Sequence, residues 1–183
     1  MLVPQIRPGN VNDPNLIKNA LIDLPENKIE QVNWPDLYPS KPLVSFKIAH
    51  NGSHLFLLFS VEENEILAEV NMDNGPVWTD SCVEFFMQIG ESPYYYNLEL
   101  SCIGKALFGY RRERKDVIYG DADVMSSIKR YPSLGLEPFG RKQGSFNWDL
   151  LVVIPATAYW QSGLTTFEGL NARANFYKCG DNL

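Results

Sequence analysis

In the stretch Ser81-Cys82-Val83-Glu84-Phe85-Phe86-Met87-Gln88-Ile89, every second side chain from Val83 onward is apolar. Glu84 and Gln88 occupy two of the intervening positions. A period of two is typical of a β-strand that turns one face toward a hydrophobic core. The stretch therefore predicts a strand that buries apolar side chains on one face and carries an acid and an amide on the other.

Similar strand patterns recur along the chain, separated by turn residues such as Asn51-Gly52 and Asn74-Gly75-Pro76. Many short strands with little helix predict an all-β fold, a β-sandwich with jelly-roll-like, immunoglobulin-like layering. The predicted strands cover residues 44–50, 55–61, 81–89, 94–102, 105–110, 127–131, 146–154 and 169–177, of which 55–61 is apolar on both sides and is expected at the centre of a sheet. The sequence also predicts a helix over 14–24, long surface loops over 115–145 and a helical turn over 155–160.

Composition narrows the class of protein. The 183 residues, 45% of them hydrophobic, predict a single domain over 1–183 with its own core. A net charge of −6 argues against a nucleic-acid partner, and the basic run Arg111-Arg112-Glu113-Arg114-Lys115 is interpreted as a solvated loop. The sequence has neither a membrane-spanning segment nor a secretory signal, so we expect a soluble, cytoplasmic protein unless a leader was removed.

Three cysteines, Cys82, Cys102 and Cys179, fit neither a disulfide framework nor a zinc site, because they are odd in number and widely spaced. They are interpreted as small core residues. A bond between Cys82 and Cys102 across neighbouring strands is left open by the sequence.

Three of the predicted strands carry polar faces rich in hydrogen-bonding groups. If these strands pair side by side, their polar faces form one platform with Trp78 at its rim. Amide, guanidinium and carboxylate groups can pair with vicinal hydroxyls, while an indole covers the apolar face of a sugar ring. The pattern favours carbohydrate binding, although an exposed sheet face is often polar for solvation alone. The candidate ligand-binding residues are Trp78, Glu84, Asn97, Glu99, Arg173 and Asn175.

From Asn33-Trp34-Pro35 to its end, the chain resembles the family 9 carbohydrate-binding modules, β-sandwiches related to DOMON domains. The resemblance rests on Val77-Trp78-Thr79-Asp80-Ser81-Cys82-Val83-Glu84-Phe85-Phe86, on Tyr95-Tyr96-Asn97-Leu98-Glu99-Leu100-Ser101-Cys102-Ile103-Gly104 and on Arg173-Ala174-Asn175-Phe176-Tyr177-Lys178-Cys179. It implies a non-catalytic module that binds a mono- or oligosaccharide between two tryptophans. Trp78 matches the first of these, Glu84 matches the acid of the same motif and Asn175 matches an amide on the last strand.

The chain departs from the family pattern in two places. Glu99 and Arg173 stand where the resemblance implies an arginine and a glutamine, so the charges are exchanged between strands. The segment expected to carry the second tryptophan and a closing strand would follow Leu183, and the sequence is therefore expected to lack a C-terminal closing segment. A single aromatic platform would still bind, but more weakly.

Other functions remain open at this stage. Glu84, Glu99 and Asp80 could supply the carboxylate pair of a glycoside-processing enzyme. The sandwich could instead be an interaction or structural domain without sugar binding, and the DOMON relationship suggests haem binding, for which no Met and His pair is evident. No cofactor is indicated except a structural calcium ion, which some family members hold and for which Asp80 or the predicted acidic loop Glu62-Glu63-Asn64-Glu65 would supply ligands.

Overall fold

The structure, a computed structural model, describes residues 1–33, 35–36 and 41–183. Trp34, at the start of the family resemblance, lies outside the described residues. No helix within the described ranges is long and apolar enough to cross a membrane.

In chain order the elements are α1 (Pro14–Leu21), β1 (Asn27–Ile29), β2 (Leu43–His50), β3 (His54–Ala68), a 3₁₀ turn (Val77–Thr79), β4 (Cys82–Ile89), β5 (Tyr95–Ser101), β6 (Ala106–Glu113), β7 (Asp116–Tyr119), α2 (Ala122–Ser127), β8 (Lys129–Pro132), β9 (Phe139–Pro155), a second 3₁₀ turn (Ala156–Ala158) and β10 (Ala172–Cys179).

The described strands form two antiparallel sheets of five strands each, which confirms the predicted all-β sandwich. Sheet 1 has the order β1-β2-β3-β9-β8, and sheet 2 has the order β10-β4-β5-β6-β7. Apolar side chains from both sheets meet in one core. The contact is close at the β10 side, where Phe176 of sheet 2 stacks on Phe46 of sheet 1 with ring centroids 3.7 Å apart.

The second face of sheet 1 is covered by α1. Asp13 caps this helix by accepting the backbone N–H of Asn15 at 2.9 Å, and Pro14 occupies its first turn. Ile17 and Leu21 are fully buried against Phe56 of β3 and its neighbours in the sheet. Strand β3 is therefore covered on both faces, as its unbroken apolar run predicts.

Most predicted elements are present, with shifted ends. The helix expected over 14–24 ends at Leu21, and the strand expected over 55–61 continues to Ala68. The predicted loop Glu62-Glu63-Asn64-Glu65 is wrong, because these residues lie inside β3 and pair with β9 across a register shift. The long loops predicted over 115–145 around a strand at 127–131 are only partly right: β8 confirms the strand, but β7, α2 and the beginning of β9 stand where loops are expected.

A buried ion pair joins the two sheets. The Lys178 ammonium on β10 lies 2.8 Å from Oε2 of Glu63 on β3, and both side chains are at least nine-tenths buried. The Trp148 indole on β9 donates to Oε1 of the same carboxylate at 2.8 Å. Glu63 therefore has a partner on each oxygen, as a charge removed from water requires.

We expect Lys178→Met to lower the free energy of unfolding by about 3–5 kcal/mol, because it leaves the Glu63 carboxylate buried without its counter-ion. Urea denaturation measures this loss. The matched control is Arg173→Met on the same strand, since Arg173 and Glu91 form a pair at 3.6 Å whose side chains are 71% and 91% exposed and which should contribute about 0–1 kcal/mol. Equal losses in the two variants would contradict the prediction.

Candidate functional site

The three predicted polar strand faces lie on one side of sheet 2. Strand β4 pairs with β10 on one side and with β5 on the other. Glu84 is directly opposite Tyr177 and Glu99, and in the next outward-facing row Phe86 is opposite Asn175 and Asn97. Residues opposite each other in an antiparallel ladder share a face of the sheet. The expectation that the strands pair side by side is therefore confirmed, and their polar side chains share the face that points away from the core.

Strand β6 adds a cation to this surface. Asn97 is opposite Gly109, and Tyr95 is opposite Arg111. A Cβ on Gly109 would lie 3.0 Å from Nη2 of Arg111 and 2.7 Å from Cγ2 of Val117. The guanidinium therefore lies over the space that the glycine leaves open. We call this surface the polar face, consisting of Glu84, Phe86, Tyr95, Asn97, Glu99, Arg111, Asn175 and Tyr177.

The central polar side chains of this face are almost completely buried, although they point away from the core. Asn97 is 4% exposed, Glu99 is 6% exposed and Arg111 is 9% exposed. The Asn97 amide donates to Oε1 of Glu99 at 2.7 Å. Oδ1 of Asn97, Oε2 of Glu99 and Nε of Arg111 have no hydrogen-bond partner within the described residues. Buried polar atoms normally have partners, so three unsatisfied ones in one patch make this patch the candidate site.

Glu84 and Glu99 form a pair of facing carboxyl groups. Burial, reinforced by the neighbouring Glu84, raises the pKa of Glu99 to about 7, and attraction to Arg111 opposes this shift. Burial also raises the pKa of Glu84, while the hydrogen bond from the Cys179 thiol, 2.9 Å from Oε1, acts in the opposite direction. Two like charges removed from water resist simultaneous ionisation, so the Glu84–Glu99 pair retains a proton up to about pH 7.

Aromatic rings lie beside the polar groups on the same face. The ring of Phe86 is 6.1 Å from that of Tyr95 and 5.6 Å from that of Tyr177, the latter at an interplanar angle of 77°. All three side chains are partly exposed. The face thus offers flat apolar surface next to hydrogen-bonding groups.

Trp78 lies in the 3₁₀ turn that precedes β4, at one end of the polar face. The turn packs against β4 and β5, and its neighbour Val77 is buried with Cys82 and Leu107 on the outer side of sheet 2. The carbonyl of Trp78 accepts the backbone N–H of Asp181 at 3.0 Å. Trp78 is 36% exposed, so its side chain does not lie in the interior.

Arg173 shares the outward side of β10 but lies at the far end of the surface. It is opposite Gln88, four residues along β4 from Glu84, which corresponds to roughly 13 Å along a strand. Its side chain is 71% exposed and pairs with Glu91. Of the six residues predicted from the sequence, Glu84, Asn97 and Glu99 form a compact group, Asn175 adjoins it, and Trp78 and Arg173 stand near opposite ends.

Three of the carboxylates proposed as calcium ligands have protein partners. Asp80 is buried, and its Oδ2 accepts the backbone N–H of Val70 at 3.0 Å. Glu63 is held by Lys178 and Trp148, and Glu65 pairs with Arg141. Among the residues that the structure describes, no group of three or more His, Cys, Asp or Glu side chains is arranged to hold a metal ion.

Arg111 is the functional candidate that the sequence interpretation missed. The sequence predicts a solvated loop over Arg111-Arg112-Glu113-Arg114-Lys115, but β6 extends through Glu113, and Arg111 points into the polar face. Arg112, on the opposite side of the strand, is exposed. The signal was the continued alternation of β6, in which Leu107, Gly109 and Arg111 share a side.

A solved structure and a family profile match this chain. Among curated proteins, none matches it in sequence. A crystal structure from Bacteroides uniformis, of a protein described as a candidate carbohydrate-binding protein, is 35% identical over 99% of this chain and 84% of that one, with a TM-score of 0.94. The sequence profile of carbohydrate-binding family 9 matches residues 12–183. The chain, with its β-sandwich and its polar outer face, belongs to carbohydrate-binding family 9.

Proposed function

We propose that this protein is a non-catalytic carbohydrate-binding module that binds a mono- or oligosaccharide on the polar face of sheet 2. The observation that carries the proposal is the group of unsatisfied buried atoms on Asn97, Glu99 and Arg111. Family membership and the candidate carbohydrate-binding relative from Bacteroides uniformis support the same ligand class.

The unsatisfied atoms match the hydrogen-bonding capacity of sugar hydroxyls. Oδ1 of Asn97 accepts a hydrogen bond, and Nε of Arg111 donates one. Oε2 of Glu99 accepts when ionised and can donate when protonated. Each hydroxyl is both a donor and an acceptor, so a pair of neighbouring hydroxyls can satisfy all three groups. A purely cationic or purely anionic ligand group would leave part of the set unpaired.

The aromatic side chains supply the apolar contact that a sugar ring also needs. Phe86, Tyr95 and Tyr177 lie on the polar face itself, and Trp78 stands at its rim. The C–H groups of a pyranose pack against such rings while its hydroxyls point toward the polar residues. We therefore extend the platform expected from Trp78 alone to include the three rings on β4, β5 and β10.

The facing carboxyl groups favour a second candidate, a glycoside-processing enzyme. Glu84 and Glu99 are directly opposite, and a carboxyl with a pKa near 7 is suited to act as a general acid. Asp80 is buried and bonded to Val70, so it is not available to this pair. Incubation with chromogenic glycosides separates the two functions, because the proposed module releases no chromophore whereas an enzyme does.

Arg111→Gln tests the polar half of the site. A glycan array identifies the ligand, and calorimetry then measures its Kd for wild type and variant. We expect affinity to fall by at least about 10-fold, since a lost hydrogen bond to a charged group costs about 1.5–3 kcal/mol. The matched control is Arg112→Gln, at the next residue on β6. The Arg112 side chain is exposed, so this substitution should leave the Kd unchanged.

Saturable binding that Arg111→Gln leaves intact, in a variant that circular dichroism shows to be folded, would place the site elsewhere. Absence of any saccharide binding would favour an interaction domain.

Trp78→Ala tests the rim. Stacking on one aromatic side chain contributes about 1–3 kcal/mol, by analogy with nucleic-acid bases, so calorimetry should show a Kd about 5-fold to 150-fold higher. Tyr131→Ala, on β8 of sheet 1, is the control for loss of a partly buried aromatic ring. Equal affinities for wild type and Trp78→Ala would remove Trp78 from the site and leave the rings on the polar face as the platform.

Glu99→Gln tests the proton retained by the acid pair. The folded protein holds this proton more tightly than the unfolded chain, so the free energy of unfolding falls as the pH rises from about 4.5 toward the folded pKa of about 7. Glutamine does not titrate, and we expect the variant to gain stability relative to wild type over this range, on the order of 3 kcal/mol. Urea denaturation at several pH values measures the difference. Glu62→Gln, at an exposed position on β3, should show no such dependence on pH. A stability difference between Glu99→Gln and wild type that stays the same at every pH would show that Glu99 does not hold the extra proton.

A further inference from the structure

Two of the three cysteines face each other across neighbouring strands. Cys82 begins β4 and Cys179 ends β10, and the two residues are directly opposite in the antiparallel ladder. Both occupy the outward side of sheet 2, next to the turn that carries Trp78. All three cysteines are free thiols in this structure.

The backbone spacing at this position suits a disulfide. Opposite residues in an antiparallel pair have Cα atoms about 4.5 or 5.5 Å apart. Disulfides span Cα separations of about 4.4–6.8 Å. Both possible spacings fall within this range, so the Cα separation of this pair is compatible with a disulfide.

Cys102 is not a competing partner. It follows β5, and its side chain belongs to the core between the sheets, where the thiol lies 3.9 Å from the carbonyl oxygen of Leu67. Cys82 is opposite Ser101 on β5, and Cys102, as the next residue along the chain, faces the other way. The bond that the sequence left open, Cys82 with Cys102, is therefore disfavoured by the orientation of the side chains.

We propose that Cys82 and Cys179 are a redox-sensitive pair that closes to a cross-strand disulfide when the protein meets a small-molecule disulfide. The inference is independent of saccharide binding. It concerns a covalent modification at one end of the polar face, where the bond would join the edge strand β10 to β4.

The reaction proceeds by two exchanges. Cys179 is partly exposed whereas Cys82 is fully buried, so Cys179 attacks the small disulfide first, as the thiolate, and releases one small thiol. The hydrogen bond with Cys82 and burial raise the pKa of the Cys179 thiol, so this first exchange is slow at neutral pH and faster in alkaline buffer. The Cys82 thiolate then attacks the Cys179 sulfur and releases the second. Each cysteine gives up its proton, two electrons pass to the small disulfide, and the products are one protein disulfide and two small thiols.

Oxidation would also alter the candidate site. In the reduced protein the Cys179 thiol donates a hydrogen bond to Oε1 of Glu84 at 2.9 Å. A disulfide sulfur has no proton to donate, so Glu84 would lose this partner. The hydrogen bonding of the acid pair therefore depends on the oxidation state of the cysteines.

Refolding in defined mixtures of reduced and oxidised glutathione tests the pair. The full chain is reduced, unfolded, refolded at a series of ratios, alkylated with iodoacetamide under denaturing conditions and analysed by mass spectrometry. In the oxidising mixtures we expect the loss of two hydrogen atoms, one remaining alkylated cysteine, and linked peptides that contain Cys82 and Cys179. Before alkylation, circular dichroism checks that the reduced and the disulfide-bonded proteins are both folded.

Single-cysteine variants assign the bond. Cys102→Ser should form it as wild type does, whereas Cys82→Ser and Cys179→Ser should not. The urea midpoint of the oxidised wild type should exceed that of the reduced form, and a dithiol reductant should abolish the difference. Folded wild type that keeps three alkylatable cysteines at every ratio, or a bond that includes Cys102, would overturn the proposal.

Discussion

The register of β10, β4, β5 and β6 is the constraint on which the rest of the structure depends. Side chains alternate between the two faces of a sheet, so a shift of one residue in any pairing would exchange the core and outer sets of that strand. In the observed register Phe85 and Phe176 meet in the core with ring centroids 5.1 Å apart. The same register sets Glu84 opposite Glu99 on the other side. Hydrophobic burial, the larger energetic term, therefore fixes where the polar groups stand.

The polar face contrasts with the outer surface of sheet 1. There the amphipathic helix α1 packs apolar residues against β3 and its neighbours, and the surface is closed by hydrophobic contact. On sheet 2 the corresponding surface buries Asn97, Glu99 and Arg111 with unsatisfied atoms. Burying polar groups without partners costs free energy. Such a cost is expected at a functional surface, where ligand atoms or water complete the hydrogen bonds.

Local alternation predicted much of this fold but not the arrangement of its strands. The strands around Phe46, Phe85, Leu98 and Phe176 are amphipathic enough to be recognised from the sequence. The first half of β9, from Phe139, carries exposed polar residues and two glycines and pairs only with the extended end of β3, so it shows no apolar period.

For the candidate site, too, the sequence predicted which side chains share a face but not how far apart they lie along the strands. Alternation identified which side chains share a face, and the family resemblance added Trp78 and Asn175. Position along a strand depends on register, which is why Arg173 lies farther from Glu84 than the sequence suggested. Arg111 was missed because a cluster of charges is typical of a loop, and only the pairing of β6 with β5 shows that its guanidinium lies over Gly109, opposite Asn97.

The place of β10 at the edge of sheet 2 has a dynamic consequence. Strand β10 pairs with β4 on one side, and no other described strand forms a ladder with it. Edge strands open more readily than central ones, and local openings of this kind govern amide hydrogen exchange. Asn175 and Tyr177 therefore belong to one of the two edge strands of the sheet, whereas Asn97 and Glu99 belong to its central strand. Any ligand that contacts both strands would slow amide hydrogen exchange along β10 far more than along β5. The exchange rates of β10 alone would then report whether a ligand is bound.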